Sequence, residues 1–478
     1  MREMTAGDLA ELCGARLVGD AATPVGPDVV IDSRAATPRA LFVALPGERV
    51  DGHDFIPAAV AAGSAAVLCT RDVGTDAVQL IVCDAQEGLS RLASGLVAAG
   101  KSRGLTCIGI TGSSGKTSTK DLVAQVLEDA GPTVAPVGSF NNEIGVPLTA
   151  TRIDDTTRFL VSEMGARGLG HVRWLCSIVP PDVGVVINVG HAHLGEFGSV
   201  AVIAQAKGEL VEALPPQGWA VLNADDPLVA GMAQRTRARV AAFSMRGRPP
   251  QGVLRVWADD VTADGLQRHS FTLHAAGDDN TGSASVTLRV PGPHQVANAL
   301  AAAAVGLTQG RSVVQVAESL SRATARSRWR MEFHERADGV LVVNDAYNAN
   351  PDSMRAALET LASLRRPGGR LLAVLGDMLE LGEESAALHR SLGSLAGDLG
   401  VDEIIAVGEF AGDLLAGAAA RGVPGRIAAD AAQAADLAVA SVASPDVVLV
   451  KASRGLALES VADRLAQAGL DERGEPDE

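Results

Sequence analysis

Leu105-Thr-Cys-Ile-Gly-Ile-Thr-Gly-Ser-Ser-Gly-Lys-Thr-Ser-Thr119 passes from an apolar run, through a Gly/Ser-rich turn, into a segment whose Leu122, Val123, Val126 and Leu127 share one helical face. A strand, a tight turn and a helix N-terminus in succession aim several backbone N–H groups at one point, which suits a polyphosphate. Within the loop Thr111, Gly112, Ser113, Ser114, Gly115, Lys116 and Thr117, Lys116 can reach the outer phosphates and the Thr117 hydroxyl can ligate Mg²⁺. ATP or GTP is the ligand this pattern predicts. The strict motif has Gly five residues before Gly115, where this chain has Ile110.

Outward from that loop, short apolar strands alternate with helical patterns, which predicts parallel α/β sheets. Upstream, strands are expected at Val29–Ile31, Ala40–Leu45, Ala65–Leu68 and Leu80–Val82, with a helix over Pro57–Ala62. Downstream they are expected at Arg158–Ser162, Val183–Val189 and Trp219–Asn223. Residues 250–290 instead alternate apolar and polar, as in a small antiparallel patch. The βα alternation then restarts with Val340–Asn344, Leu371–Leu375, Ile404–Val407 and Val447–Val450, and helices follow Pro351 and Glu383. The Ala-rich segment 411–440 reads as surface helices, and Asp471–Glu478 as a solvated end. The polar stretches Gly100–Gly104 and Ser321–Arg328 divide the chain into three α/β units, 1–102, 103–322 and 323–478. The second polar stretch is the expected hinge.

A chain of 478 residues exceeds one core, and 47% apolar residues with only 3% aromatics suit helices packed on parallel sheets. The net charge of −16 argues against a nucleic-acid or membrane surface, so an anionic substrate needs local cations. No basic leader with an apolar core opens the sequence, and no run is long and apolar enough to span a bilayer. Cys13, Cys69, Cys83, Cys107 and Cys176 are scattered, none in a C-x-x-C pair, which points to reduced thiols and a cytoplasmic location.

Several strand ends carry polar side chains, the usual ligand position in open α/β sheets. Arg158-Phe-Leu-Val-Ser-Glu163 ends in a carboxylate that can hold Mg²⁺ directly or through water. Val185-Val-Ile-Asn-Val-Gly-His-Ala-His193 ends in two histidines that face one way; they suit Mg²⁺ or phosphate better than zinc, which lacks a third ligand nearby. Lys207, alone, reads as an exposed helix lysine. Asn298 opens a helix of small residues and can bond a base or sugar edge. Asn344-Asp-Ala-Tyr-Asn-Ala-Asn-Pro351 sets the only tyrosine, Tyr347, among polar residues before a Pro-initiated helix. Leu375-Gly-Asp-Met-Leu-Glu-Leu-Gly382 and Val450-Lys-Ala-Ser-Arg454 hold the same strand-to-loop position. Ile31-Asp-Ser-Arg34 and Asp51-Gly-His-Asp-Phe55 are further polar clusters, and Arg34 can grip a phosphate bidentately. Asn141 and Asn142 sit side by side on a turn-rich loop.

In order and over nearly the whole chain, these segments resemble the Mur ligases, the ATP-dependent amide ligases of bacterial cell-wall precursor synthesis. Thr111-Gly-Ser-Ser-Gly-Lys-Thr117 is similar to that family's variant phosphate loop, which accounts for Ile110. Phe140-Asn-Asn-Glu-Ile-Gly-Val-Pro-Leu-Thr149, the tyrosine segment and Leu375–Gly382 resemble the branch that adds D-alanyl-D-alanine to UDP-N-acetylmuramoyl-tripeptide. The resemblance implies a UDP-sugar domain, a central ATP domain and a Rossmann-like domain for the dipeptide, in a cytoplasmic monomer with no nucleic-acid partner. It implies ATP and Mg²⁺ as cofactors. Lys116 would contact phosphates, with Thr117, Glu163 and His193 at the Mg²⁺ sites. Lys207 would be the lysine that is carbamylated to help hold a second Mg²⁺, the reverse of its reading in isolation. Asn298, Arg330 and Asp345 match nucleoside contacts, and Ser33 and Arg34 match UDP-substrate contacts. Asn141 and Asn142 fall to the substrate side, and Tyr347, Asn348, Asp377 and Arg454 to the dipeptide. After His193-Leu194 the family usually shows Glu then Gly; here Gly195 precedes Glu196, so Glu196 is given no role. Another Mur-type ligase, folylpolyglutamate synthase, or a P-loop ATPase switch of a different class would share the loop.

Overall fold

A computed structural model describes residues 1–47, 50–190, 197–277 and 280–468. The candidate residues His191, His193 and Glu196 and the tail 471–478 lie outside the described residues.

Three large sheets follow one another along the chain, and a short antiparallel pair, Met4–Thr5 with Pro24–Val25, accompanies the first. The first has five strands in the order Arg16–Val18, Val78–Ile81, Ala66–Cys69, Leu41–Val43 and Val29–Val30, parallel apart from the Arg16–Val18 edge. The central sheet has nine strands. Thr106–Thr111, which leads into the phosphate loop, lies between Phe159–Glu163 and Val183–Val186, and all three run parallel. The third has six, with Leu341–Asn344, Val447–Lys451 and Leu371–Gly376 adjacent and parallel. Parallel strands need crossovers, and the helices that supply them bury both faces, so these strands are apolar throughout rather than alternating. Val183–Val186 and Val447–Lys451 are buried at every position. Apart from one edge pairing in the first sheet, one in the third and an antiparallel extension of the central sheet, the fold is the α/β class expected, in three units.

Two sequence expectations are corrected. The alternating residues 250–290 form Leu254–Ala263, Arg268–Ala276 and Gly282–Pro291, which are antiparallel to one another. They are not a separate patch, because Leu254–Ala263 pairs in parallel with Arg239–Ser244 and so extends the central sheet. The segment 411–440 holds two helices, Ala411–Ala419 and Ala431–Ser441, with an edge strand, Gly425–Ala428, between them.

Part of the expected hinge, Ser321–Arg328, is tied to the central unit. Residues 324–327 are fastened to the helix Lys116–Glu128 that follows the phosphate loop. The Ser327 N–H donates to Asp121 Oδ2 (3.0 Å), Thr324 N–H to Gln125 Oε1 (3.1 Å), and Arg326 pairs with Glu128 (2.5 and 2.7 Å). Beyond these bonds, Trp329 and Met331 take left-handed backbone conformations (φ 59° and 52°). These bonds hold 324–327 against the helix of the central unit, and the two left-handed residues follow directly after them. Among the described residues no helix is long and apolar enough to cross a membrane. Four cysteines are buried and Cys83 is exposed, and none is in a disulfide.

Candidate active site

The phosphate loop is built by its neighbours before any ligand arrives. Gly115 caps the helix Lys116–Glu128 with φ +77°, a region costly for other L-residues. A Cβ there would also stand 2.8 Å from Asn298 Oδ1, so glycine is required twice over. Asn298, buried on the helix His294–Thr308, accepts from the Thr119 hydroxyl (3.1 Å) and donates to Gln295 Oε1 (2.9 Å). Asn188, at the end of the neighbouring strand, accepts from the N–H groups of Ser113 (2.9 Å) and Ser114 (3.0 Å). That amide closes the loop, and nothing in its sequence position alone marks it. Lys116 Nζ donates back to Gly112 O (2.7 Å); burial lowers its affinity for the proton, Glu163 raises it and Arg330 lowers it. Thr111 is fully buried, and its hydroxyl has no partner among the described residues.

Glu163 is buried at the end of its strand. Its Oε1 accepts from Ser139 Oγ and Asn141 Nδ2, both at 2.8 Å, while Oε2 is buried and, among the described residues, unpaired. An orphaned carboxylate oxygen on a residue that lines the same cavity as buried Thr117 fits a hard divalent cation that takes its remaining ligands from phosphate and water. Among the described residues no cluster of three or more His, Cys, Asp or Glu could cage a metal unaided.

Lys207 is 2% exposed, not an exposed helix lysine. On the helix Val200–Glu212, Ile203 and Leu210 stand at i−4 and i+3 from it and are buried, so the apolar periodicity already marks its face as inward. Burial, with the Lys116 charge nearby, holds its amine well below the ordinary lysine range.

A cavity of about 520 Å³ joins this loop to the third unit. Its walls carry Ser113 to Thr117, Asn141, Asn142, Glu163 and Asn298 on one side, and Arg330, Asp345, Tyr347, Asn348 and Arg454 on the other. The size is that of a small-molecule site. Asp345 accepts from Met331 N–H (3.2 Å) and from Lys451 Nζ (2.5 Å), and Lys451 also donates to Asn348 O (2.8 Å). The Arg330 guanidinium lies 4.3 Å over Tyr347, and Arg454 lies 4.4 Å over Trp329, giving a cation–aromatic wall. Arg330 Nη2 crosses to donate to Thr117 Oγ1 (2.9 Å). Lys451 and His294, both on the cavity wall, were not anticipated. The lysine is the last residue of the buried strand Val447–Lys451, a polar strand end that the sequence does show; burial lowers the proton affinity of both groups.

Three expected residues lie elsewhere. Asp377 is buried away from the cavity, and its oxygens accept from Glu409 N–H (2.7 Å) and Phe410 N–H (3.1 Å) at the start of the helix Ala411–Ala419. Ser33 and Arg34 form a surface turn on the first unit, where Arg34 pairs with Asp32 (2.7 Å). Asn142 lines the cavity, but its Oδ1 accepts from Gly145 N–H (2.9 Å) and so also shapes the loop.

Family models agree with this layout. Residues 28–92 match the Mur ligase family catalytic domain, 110–306 the Mur ligase middle domain, and 329–454 the Mur ligase glutamate ligase domain. The UDP-N-acetylmuramoyl-tripeptide–D-alanyl-D-alanine ligase of Mycobacterium tuberculosis is 46% identical, over 97% of this chain and 98% of its own. The solved UDP-N-acetylmuramoylalanyl-D-glutamyl-2,6-diaminopimelate–D-alanyl-D-alanyl ligase of Acinetobacter baumannii superposes with a TM-score of 0.81 at 30% identity, covering 98% of this chain and 99% of that one. MurF ligase of Thermotoga maritima, solved in complex with ADP, gives 0.76 at 29% identity, covering 93% and 98%. The chain belongs to the Mur ligase family, in its MurF branch.

Proposed function

We propose that this chain joins D-alanyl-D-alanine to UDP-N-acetylmuramoyl-tripeptide at the expense of ATP, giving the pentapeptide precursor of peptidoglycan. The observation that carries the reading is the single cavity in which a phosphate loop faces the strand-end loops of the third unit. In the first step the acceptor's terminal carboxylate attacks the γ-phosphorus, and ADP leaves with the bridging oxygen. In the second the dipeptide amine adds to the acyl phosphate carbonyl; the tetrahedral intermediate expels phosphate, and the amine's proton is lost to solvent or a nearby base. Two anions must meet in the first step, and Lys116, Arg330 and the loop N–H groups supply positive potential where charge gathers. Mg²⁺ bound by Thr117, Glu163 and His193 would add charge neutralisation between the phosphates. Asn298, Arg330 and Asp345 hold the nucleoside, Ser33 and Arg34 the uridine diphosphate, and Tyr347, Asn348 and Arg454 the dipeptide. In this reading Asp377 supports the third unit and does not touch the dipeptide.

Lys207 is assigned as a carbamate: its buried, neutral-prone amine adds to CO₂ and releases a proton, leaving a carboxylate for a second Mg²⁺. A carbamate carbon signal from ¹³C-bicarbonate that Lys207→Arg lacks supports this; full activity in that variant sinks it. The units 1–102, 103–322 and 323–478 act as acceptor, nucleotide and dipeptide modules of a monomeric enzyme. The decisive experiment follows phosphate release with ATP, acceptor and dipeptide supplied in every combination. The ligase releases phosphate in repeated turnovers only when all three are present. Sustained turnover without the dipeptide would make the chain an ATPase of another kind.

A further inference from the structure

Beside Glu163 two loops meet, and three of their side chains are left incompletely paired. Glu143 lies just before the helix Gly145–Ala150; Arg167 and His171 follow the strand Phe159–Glu163. The loops themselves are fixed. Gly165 N–H donates to Asn141 O (2.8 Å), and the Glu209 carboxylate accepts from Gly170 N–H (2.6 Å) and Arg173 N–H (3.0 Å), capping the helix His171–Ile178. His171 Nδ1 accepts from Arg167 N–H (3.2 Å), which leaves a proton on Nε2. Among the described residues, that Nε2 is buried without a partner, as is Glu143 Oε2, and the two stand 4.0 Å apart. The Arg167 guanidinium is 3.7 Å from Glu143 Oε1, beyond a hydrogen bond, and more than half exposed. Arg167 and His171 line the same cavity as Lys116, Thr117 and Glu163.

An anion, a cation and an N–H donor, each short of a partner, describe the complement of a zwitterion. We infer that Glu143, Arg167 and His171 form a subsite for an ammonium and a carboxylate borne on one carbon, at the side-chain end of the acceptor's third residue. The inference rests on the ligase reading, because the third residue carries the carboxylate that must reach Lys116, so its side chain enters the same cavity. The side-chain carboxylate meets Arg167 and the His171 Nε2–H, and the ammonium meets Glu143. The Acinetobacter ligase named above takes its acceptor's name from 2,6-diaminopimelate, whose side chain ends in this pair of groups. A lysine in that place supplies the ammonium alone and leaves the arginine and the imidazole without an anion, which a site built for hydrogen bonding penalises.

The test compares kcat/KM for UDP-muramoyl-tripeptides ending in diaminopimelate and in lysine, with the full-length chain. The natural sequence is expected to favour diaminopimelate by about tenfold or more, the worth of one charge-assisted hydrogen bond at a partly exposed site. Arg167→Ala and His171→Phe should each erode that ratio through KM, and Arg167→Glu should invert it toward lysine. Arg167 is mostly solvated, so its variants keep the fold, which a thermal melt verifies. Equal use of both acceptors by the natural sequence overturns the inference. So does a loss in Arg167→Ala that is the same for both, since that places the guanidinium on a part of the stem common to the two. Turnover of neither acceptor removes the ligase reading itself, and the subsite with it.

Discussion

The two walls of the cavity are held together in different ways. On the phosphate side, Asn188, Asn298, Ser139 and Asn141 fix the loop and Glu163 through short bonds within the central unit. On the wall supplied by the third unit, Asp345 and Asn348 are fixed just as firmly by Lys451, but within that unit. Between the walls the described contacts are few. Arg330 donates to Thr117, and Asp352 approaches Gly190 so closely that a Cβ there would lie 2.1 Å from its Oδ2. Each half is preorganised, and only the junction is thin. Acyl phosphates hydrolyse, so a site that must open for three substrates and then exclude water benefits from that division. If the units close after the bonded segment 324–327, X-ray scattering should show compaction when nucleotide and acceptor are both bound.

If the phosphate wall is the preorganised one, damage there should be the most severe. Lys116→Ala is expected to lower turnover by on the order of 10²–10³-fold, the usual cost of removing one group that meets transition-state charge, with the fold intact by circular dichroism. Gly115→Ala attacks the same wall through the backbone. A non-glycine residue at φ +77° costs about 1–2 kcal/mol, and the new methyl presses on Asn298. A urea midpoint lowered accordingly, with activity lost at temperatures where the variant stays folded, would support the view that loop shape and Asn298 are coupled. A variant of natural activity would break it.

How much of this was readable beforehand differs between the walls for a physical reason. The phosphate loop is one continuous segment, so its chemistry is local and shows in Thr111–Thr117. The three strand-end loops of the third unit could also be placed on one sheet edge, because parallel strands end on the same side. What escaped depends on contacts distant in sequence. Asn188 is defined by amides 74 and 75 residues away. The edge strand Gly425–Ala428 pairs only with Glu403–Val407, and in an alanine-rich stretch its four residues carry no period of their own. Likewise, alternation in 254–290 predicts antiparallel pairing but not which sheet receives it. Lys207 is legible in principle, since Ile203 and Leu210 put it on the buried face, although a lone charged side chain on a helix suggests exposure.

The junction itself is probed by Arg330→Ala. The substitution removes the bond to Thr117 and the cation over Tyr347. The loss of a charged hydrogen bond, about 1.5–3 kcal/mol, corresponds to roughly a 10–100-fold rise in KM for ATP. Compaction on ligand binding should weaken alongside it. Arg330→Lys should recover little, because a point charge neither stacks on the ring nor keeps the planar fork. If KM for ATP is unmoved while stability falls, the arginine is a structural strut, and the two walls are not coupled through it.

The smallest effect on catalysis is expected at Asp377, and that is what makes it diagnostic. By sequence it belongs with the other strand-end polar groups, yet its two oxygens are occupied by the N–H groups of Glu409 and Phe410. In Asp377→Asn one oxygen becomes an NH₂ group that must face a backbone donor, so one buried N–H goes without an acceptor. The expected cost is about 1–3 kcal/mol of stability, the penalty for an unsatisfied buried group. KM for D-alanyl-D-alanine should change by less than about twofold, within the range of substitutions away from a bound ligand. Tyr347→Ala provides the contrast: it lies on the cavity wall, and its loss should raise KM for the dipeptide with little change in the melting temperature. If the two variants trade places, with Asp377→Asn acting on the dipeptide and Tyr347→Ala on stability, the dipeptide wall has been drawn around the wrong loop of the third sheet.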